Sequence, residues 1–294
     1  MRSRMSVAIP ASARPIGVSG RLAAVARQAE RELGAYQRRR GRARTTVESA
    51  REYEARWSGQ HQDARWQAAE SLADAARLSS YGSARLRALL DFRAYSIPAP
   101  DFFGWRAAKL AEIVGAFVRP DEPVLELGCG IGKNLVALAA HGYSDLAGVD
   151  ISPSAVRALH DQFAYFGRTV RGLEGDLMDL APIGAELAGR TVLTNYVLEQ
   201  LPRQLDVALD QIARARPRQV LHIEPCPDRL PGRRAWERWP SVWHVRSHDY
   251  QRDLYATLCE LEATGRLRLT EVRPLGYSPY MFHSAVLIRW EPYE

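Results

Sequence analysis

The sequence predicts an α/β protein: seven strands in a mostly parallel sheet, an antiparallel pair near the end of the chain, and a helical extension in front. Three observations carry that prediction. After Pro123, short apolar runs alternate with helical patterns, the texture of a parallel sheet covered on both faces. The stretch "VLELGCGIGKNLVAL", starting at Val124, passes from an apolar strand through Gly128, Gly130 and Gly132 to helical spacing at Leu135, Val136 and Leu138. Near the end, "LRLTEVRPLG" and "MFHSAVLIRW" read as two strands joined by a turn.

Residues 1–19 carry no periodic pattern and are expected to form a mobile leader. Residues 20–118 read as a helical extension, in which Leu22, Val25, Ala26, Ala29, Leu33 and Tyr36 share one helical spacing. The run "RRRGRAR" breaks that pattern, and helices are expected again around 57–78 and 83–92. The Pro-rich "SIPAPDFF" is a joint, with Asp101 as the cap of a helix carrying Trp105, Leu110, Ile113, Val114 and Phe117 on one face. The α/β domain then spans 119–294. Its strand candidates are 124–127, 146–149, 169–173, 191–195 and 219–223, and its helices start near Gly132, Pro153, Pro182 and Pro202. Ser152 before Pro153 pairs a cap with proline at the first helical position.

A chain of 294 residues with 46% hydrophobic content can bury a sizeable core in one or two domains. Its formal charge is uneven: residues 1–60 hold 13 Arg against 5 Glu, so they carry +8 of a chain total of +6. Such a segment could meet nucleic acid or an acidic surface, or be a solvated leader or helix face. The three cysteines form no CxxC pair, which points to a reducing compartment. Pro10 and Ser12 interrupt what would be the apolar core of a signal peptide, and no apolar run is long enough to cross a membrane. A cytoplasmic location and no membrane partner are therefore expected.

Acids and amides recur at the ends of successive strands. Asp150 closes "LAGVD", Asp176 closes "LEGD", and Asn195 and Tyr196 close "TNY". These positions share one edge of a parallel sheet, where ligands bind, and an acid ending the second strand can accept hydrogen bonds from ribose hydroxyls. Glycine allows positive φ and close backbone approach, and the helix after it offers unpaired N–H groups. The spacing is Gly-x-Gly-x-Gly, short of the dinucleotide fingerprint Gly-x-Gly-x-x-Gly. Structural alternatives remain: Asp150 and Asp176 as helix caps, Glu126 as the partner of an arginine.

This set resembles the class I, Rossmann-like methyltransferases that use S-adenosyl-L-methionine, over roughly residues 105–294. Glu126, Leu127, Gly128, Gly130 and Gly132 match the acid and the glycines of that family's first motif. The resemblance implies that this loop lies along the methionine part of the cofactor, that Asp150 holds the ribose hydroxyls, and that Asp176 with Leu177 contacts the adenine. Asn195, in "TNYVLEQLP", falls in the motif at the sulfonium end. Cys129, Asn134 and Ile151 complete the expected cofactor-binding set. Many relatives carry histidine where this chain has Gln200. The implied activity is methyl transfer to nitrogen or oxygen of a small-molecule acceptor, in specialised metabolism. The alternatives are an RNA methyltransferase, a cofactor-binding protein without turnover, and a nicotinamide-dependent dehydrogenase on the same kind of sheet.

Acceptor residues should come from the same edge. After the fifth strand, "PCPDRLPGRRAWERWPSVWHVRSHDY" holds Trp236, Trp239 and Trp243 among arginines. A long segment of this kind is often a binding loop, although its tryptophans could instead pack it onto the extension. No RNA-binding signature accompanies these aromatics, so a small-molecule acceptor and no nucleic-acid partner are expected. Tyr95 and Trp105 are the expected lid residues, with Trp243 and Tyr250 completing the substrate-binding set; core packing is the alternative. In "LHIEP", His222 and Glu224 share one face of a strand, across from Tyr196 and Glu199. Two carboxylates there would favour a cationic nitrogen acceptor and could accept its proton. Alternatively His222 or His244 is the base for an oxygen acceptor, or Glu224 pairs with Arg229 or Arg233 and His222 is a core residue. His61, His141 and His160 read as surface positions. His248 and His283 join the substrate side without an evident metal spacing, so no metal is expected. A homodimer through the helical extension completes the expectations.

Overall fold

The computed structural model describes residues 7–39, 45–201, 203–226, 235–279 and 284–293. The chain begins with β1 (Arg14–Pro15), α1 (Val18–Arg39), α2 (Thr46–Asp63), α3 (Leu72–Arg77), β2 (Arg85–Leu90), β3 (Arg93–Pro98) and α4 (Ala99–Gly115). There follow β4 (Val124–Leu127), α5 (Lys133–Ala140), β5 (Leu146–Asp150), α6 (Pro153–Tyr165), β6 (Arg171–Glu174), α7 (Gly184–Leu187), β7 (Thr191–Asn195) and α8 (Leu205–Arg214). The last elements are β8 (Gln219–Pro225), α9 (Ala235–Ser247), α10 (Leu254–Ala263), β9 (Leu267–Pro274) and β10 (Ala285–Pro292).

The seven-stranded sheet has the order β6-β5-β4-β7-β8-β10-β9. Strands β4 to β8 are parallel, and β10 runs antiparallel to both β8 and β9. Alternate residues of each strand go to opposite faces, and both faces are apolar. Val124, Leu193, Leu221 and Leu287 pack with α4 and α5 on one side. Leu125, Val192, Val220 and Val286 pack with α8 and α10 on the other. Chain order reverses between β4 and β7. The crevice outside their carboxyl ends is where a doubly wound sheet offers a binding site.

Two expectations for the N-terminal part are corrected. The stretch 83–92, expected to be helical, belongs to a hairpin of β2 and β3. Its alternating burial (Arg85 out, Leu86 in, Arg87 out, Ala88 in) shows the period-2 pattern. Leu, Ala and Arg are good helix formers, and the pairing overrode that preference. Asp91 and Phe92 turn the hairpin with φ of 44° and 64°, the signs a two-residue type I′ turn requires. The leader expected to be mobile is held in place where it is described. Val7 N–H donates to Glu112 at 3.2 Å, Ser12 Oγ to Asp101 at 2.7 Å, and β1 pairs with β3. Asp101 is thus a first-turn anchor of α4, and Pro98 occupies the cap position. Ser152 caps α6 as expected, accepting from Ala155 N–H at 3.1 Å.

Candidate active site

Three glycines bend the chain where β4 ends. Gly128, Gly130 and Gly132 have φ of 68°, 53° and 82°, a region glycine enters without steric cost. Space enforces the choice at Gly128, where a Cβ would lie 2.1 Å from Val197 Cγ2. Asp150, the last residue of β5, locks the turn. Its Oδ2 accepts from Gly130 N–H at 2.7 Å and its Oδ1 from Ser152 N–H at 3.0 Å. Behind the loop, Glu126 is fully buried and accepts from Asn134 Nδ2 at 2.5 Å. Asn134 Oδ1 in turn accepts from Arg106 Nη2 at 2.8 Å. Burial pushes the Glu126 carboxyl up to about 8, against the Asn134 hydrogen bond and the Arg106 charge. Burial also pushes the Cys129 thiol up, away from thiolate chemistry.

Above this edge lies a cavity of about 530 Å³, within the range of small-molecule pockets. Gly128, Cys129, Gly130, Asn134, Asp150, Ile151, Asp176, Leu177 and Asn195 all line it, whereas Glu126 stays behind the loop. Asp176 Oδ1 accepts from Met178 N–H at 2.9 Å. Asn195 is only 8% exposed, and among the described residues neither its Oδ1 nor its Nδ2 has a partner. Gln200 Oε1, in the same wall, also has no partner among the described residues. Buried polar groups nearly always find partners, so two orphans facing one cavity call for a polar ligand.

Residues 124–217 match the model of a family described as a methyltransferase domain. Over that stretch the chain is similar to a methyltransferase domain. The mRNA cap guanine-N(7) methyltransferase of Saccharomyces cerevisiae is 34% identical over 62 residues, which are 21% of this chain and 13% of that protein. The chain therefore matches only a small part of that relative's length. Among solved structures, a geranyl diphosphate methyltransferase in complex with GPP and sinefungin has a TM-score of 0.50 at 16% identity, over 66% of this chain and 79% of its own. This is a likeness of fold. The magnesium protoporphyrin IX methyltransferase of Synechocystis PCC 6803 with bound SAM gives 0.45 at 16% identity, over 64% and 81%.

The cavity gathers only some of the expected acceptor residues. Tyr196, Glu199, His244 and Tyr250 line the cavity; His222, Glu224, Tyr95, Trp105 and Trp243 do not. His222 is a satisfied core residue. Trp290 Nε1–H donates to its Nε2 at 2.8 Å, so the ring proton sits on Nδ1, 2.8 Å from Thr194 Oγ1. Burial holds it neutral, pushed down to about 3. Glu224 Oε1 accepts from Val197 N–H at 3.1 Å, positioning the turn after β7, and burial pushes its carboxyl up to about 8. Tyr95 is buried in the hairpin, and Trp105 stacks edge-on to Tyr277 with its Nε1–H toward Val7 O at 3.4 Å. Arg229, Arg233 and His283 lie outside the described residues, as do the side chains of Trp236, Trp239 and His61.

The aromatic wall comes instead from Tyr53 and Trp57 of α2, with Tyr81 and Phe103. Helix α2 is clipped to the domain by Glu54, whose carboxylate accepts from Ser152 Oγ, and from Ser154 N–H and Oγ at 3.3 and 2.6 Å. Those hydrogen bonds at the start of α6 hold the Glu54 carboxyl below its ordinary value. A Cβ on Gly130 would approach Trp57 to 2.9 Å, so the helix sits directly on the loop. Arg106 and Lys133 bring positive charge to the wall, and burial pulls the Lys133 ammonium down to about 8. The sequence reading placed helical character near Trp57, but nothing in one sequence shows which helix face meets the loop.

A second cluster borders the cavity. Glu32 of α1, 2% exposed, accepts from His244 Nδ1 at 2.7 Å on Oε1 and lies 3.2 Å from His248 Nδ1 through Oε2. Gln28 Nε2 and Ser247 Oγ donate to the same carboxylate. His244 and His248 both line the cavity. Their four-residue separation is that of two ligands on one helical turn, a spacing present in the sequence.

Proposed function

We propose that the protein transfers the methyl group of S-adenosyl-L-methionine to a nitrogen or oxygen of a small-molecule acceptor held in this cavity. Asn195 carries the reading: a buried amide with no partner among the described residues, in a wall that the glycine loop, Asp150 and Asp176 complete. The cofactor supplies a methyl group on a sulfonium sulfur, and in-line displacement there depends mainly on placement. Gly128, Cys129 and Gly130 offer a backbone surface to the methionine part, supported from behind by Glu126 through Asn134. Arg106 and Lys133 suit its carboxylate. The Asp150 carboxylate accepts backbone hydrogen bonds from Gly130, Ser152 and Ile151 and, with about four acceptor sites, keeps capacity for a ribose hydroxyl. Ile151 and Leu177 flank the adenine side with Asp176. Asn195 and the backbone at Tyr196 orient the reacting end. The acceptor would lie between Glu199, His244, Tyr250 and the aromatic face of α2, all of which line the cavity, and the Glu199 carboxylate would take its proton.

Two copies joined through α1 belong to the same reading. Leu22, Ala26, Ala29, Leu33 and Tyr36 repeat at four- and three-residue steps on its outer side, a coiled-coil seam that fits a second copy of itself.

Calorimetry with S-adenosylhomocysteine tests the proposal. Binding is expected, and Asp150→Ala should weaken it by about 1–3 kcal/mol. No binding at millimolar ligand would overturn the reading. Binding without transfer to any acceptor would leave a cofactor-binding protein, and steeply salt-dependent RNA binding would favour an RNA acceptor.

A further inference from the structure

We propose that Glu32, His244 and His248 form a binding site for a divalent transition-metal ion at the acceptor end of the cavity. One ligand atom from each residue lies within 4.8 Å of the other two. His244 Nδ1 is 2.7 Å from one Glu32 oxygen, and His248 Nδ1 is 3.2 Å from the other, a contact it shares with His244 O at 3.0 Å and Ser247 Oγ at 3.1 Å. Ligands about 2.0–2.1 Å from a tetrahedral zinc ion stand ~3.4 Å apart, so small side-chain rotations convert the cluster into a coordination shell. Two imidazoles and one carboxylate form a borderline set suited to zinc, cobalt or iron rather than magnesium or calcium. Three protein ligands leave a position for an exogenous group.

The way α1 is seated argues for a cation. An amphipathic helix normally turns its apolar stripe inward. Here Leu22, Leu33 and Tyr36 are 59%, 48% and 57% exposed, while Glu32 is buried. Burying a carboxylate is costly unless charge and hydrogen bonds compensate it. The Gln28 and Ser247 contacts then act as outer bonds that aim the carboxylate, the usual arrangement around a metal ligand. Both histidines border the cavity although Glu32 does not line it, so a coordination position left open on the histidine side would be reached from the cavity. It would take an anionic oxygen donor of the acceptor, a carboxylate or phenolate, and fix the nucleophile before the methyl group. This last step rests on the methyltransferase reading; binding of the ion does not.

The test uses the full chain, stripped with a chelator and titrated with Co²⁺. The expected result is one equivalent bound with visible d–d bands, displaced by Zn²⁺. His244→Ala and His248→Ala should each weaken Co²⁺ binding at least about tenfold. Circular dichroism and melting check that each variant folds, since loss of Glu32 itself could unseat α1. Absence of a Co²⁺ spectrum with the intact chain at millimolar ion would overturn the site and leave a hydrogen-bonded clamp. So would undiminished binding in a folded His244→Ala, His248→Ala double variant. S-adenosylhomocysteine binding, measured on the same samples, keeps the two readings separate. Cofactor binding without Co²⁺ binding sinks only the metal site, and Co²⁺ binding without cofactor sinks only the methyltransferase.

Discussion

Helices α5 and α1 bury themselves in opposite ways. Helix α5 puts Leu135, Val136 and Leu138 into the core under the glycine loop, each 1% exposed or less. Helix α1 turns Ala24, Glu32 and Ala35 inward and leaves Val18, Leu22, Leu33 and Tyr36 outside. The first is held by apolar area, worth about 1.5–3 kcal/mol per fully buried large side chain. The second is held by small residues and one carboxylate with its donors. Stability therefore belongs to the sheet domain, while the N-terminal helices can be tuned by single polar contacts. Both edges of the cavity follow from this: a rigid wall at the strand ends and a facing wall, on the side of the N-terminal helices, made of hydrogen bonds.

The largest expected effect lies on the rigid side. Gly128→Ala forces a side chain into positive φ and into Val197, whose Cγ2 would be 2.1 Å away. Left-handed strain and overpacking together should cost about 2–5 kcal/mol, read by denaturant unfolding, and S-adenosylhomocysteine binding should vanish with it. A variant as stable as the parent would mean that the loop is not packed against Val197 in solution.

That wall was largely legible in the sequence, and the other was not. Asp150, Asp176 and Asn195 line the cavity together because strand ends in a parallel sheet converge on one edge, a rule that needs only the order of elements. The apolar alternation of the strands was equally plain. The facing wall depends on which face α2 and α9 present, and two helices separated by about 180 residues carry no local mark of that. Tyr95 and Trp105 were misplaced because a buried aromatic near a motif reads the same whether it packs a core or faces a ligand. Glu224 shares a strand face with His222, as the period predicts, yet β8 is covered by the turn after β7 and neither side chain reaches the cavity.

Glu224 gives the next prediction. Its carboxyl is pushed up to about 8 from 4.5 by burial. Between those values the folded chain holds a proton that the unfolded chain has released, so stability falls as pH rises through the window. Glu224→Gln keeps an oxygen acceptor for Val197 N–H and removes that titration. It should flatten the fall between about pH 5 and 8 and gain about 1–3 kcal/mol at the upper end. Glu126, shifted in the same direction, keeps part of the slope. An unchanged pH profile would show that Glu224 is not the group being titrated.

On the softer side, Glu54→Ala should release α2 from the start of α6. It removes a charged acceptor from Ser152 and Ser154 and a negative charge from a helix N-terminus, worth about 1–2 kcal/mol in all. Faster proteolysis within α2 and a roughly three- to tenfold weaker S-adenosylhomocysteine affinity are the expected readouts. Glu54→Gln should recover part of the loss by keeping the oxygen. Equal proteolysis of parent and variant would mean that Trp57, packed on Gly130, seats the helix without the clip.

The smallest effect on folding should come from the outer face of α1. Leu22 and Leu33 are 59% and 48% exposed, so replacing both with glutamate should change the stability of a single chain by no more than about 0.5 kcal/mol. Association is where the change should register. Two copies paired along Leu22, Ala29, Leu33 and Tyr36 would have to bury four new carboxylates, one from each substitution on each chain, and unpaired buried charge is expensive. Sedimentation at micromolar concentration should therefore give a dimer for the parent and a monomer for the variant, with Co²⁺ and S-adenosylhomocysteine binding unchanged. If the parent sediments as a monomer, the seam is not a self-association surface. If instead the variant loses several kcal/mol as a monomer, α1 does not sit with its apolar stripe outward, and the contrast with α5 fails at its weaker half.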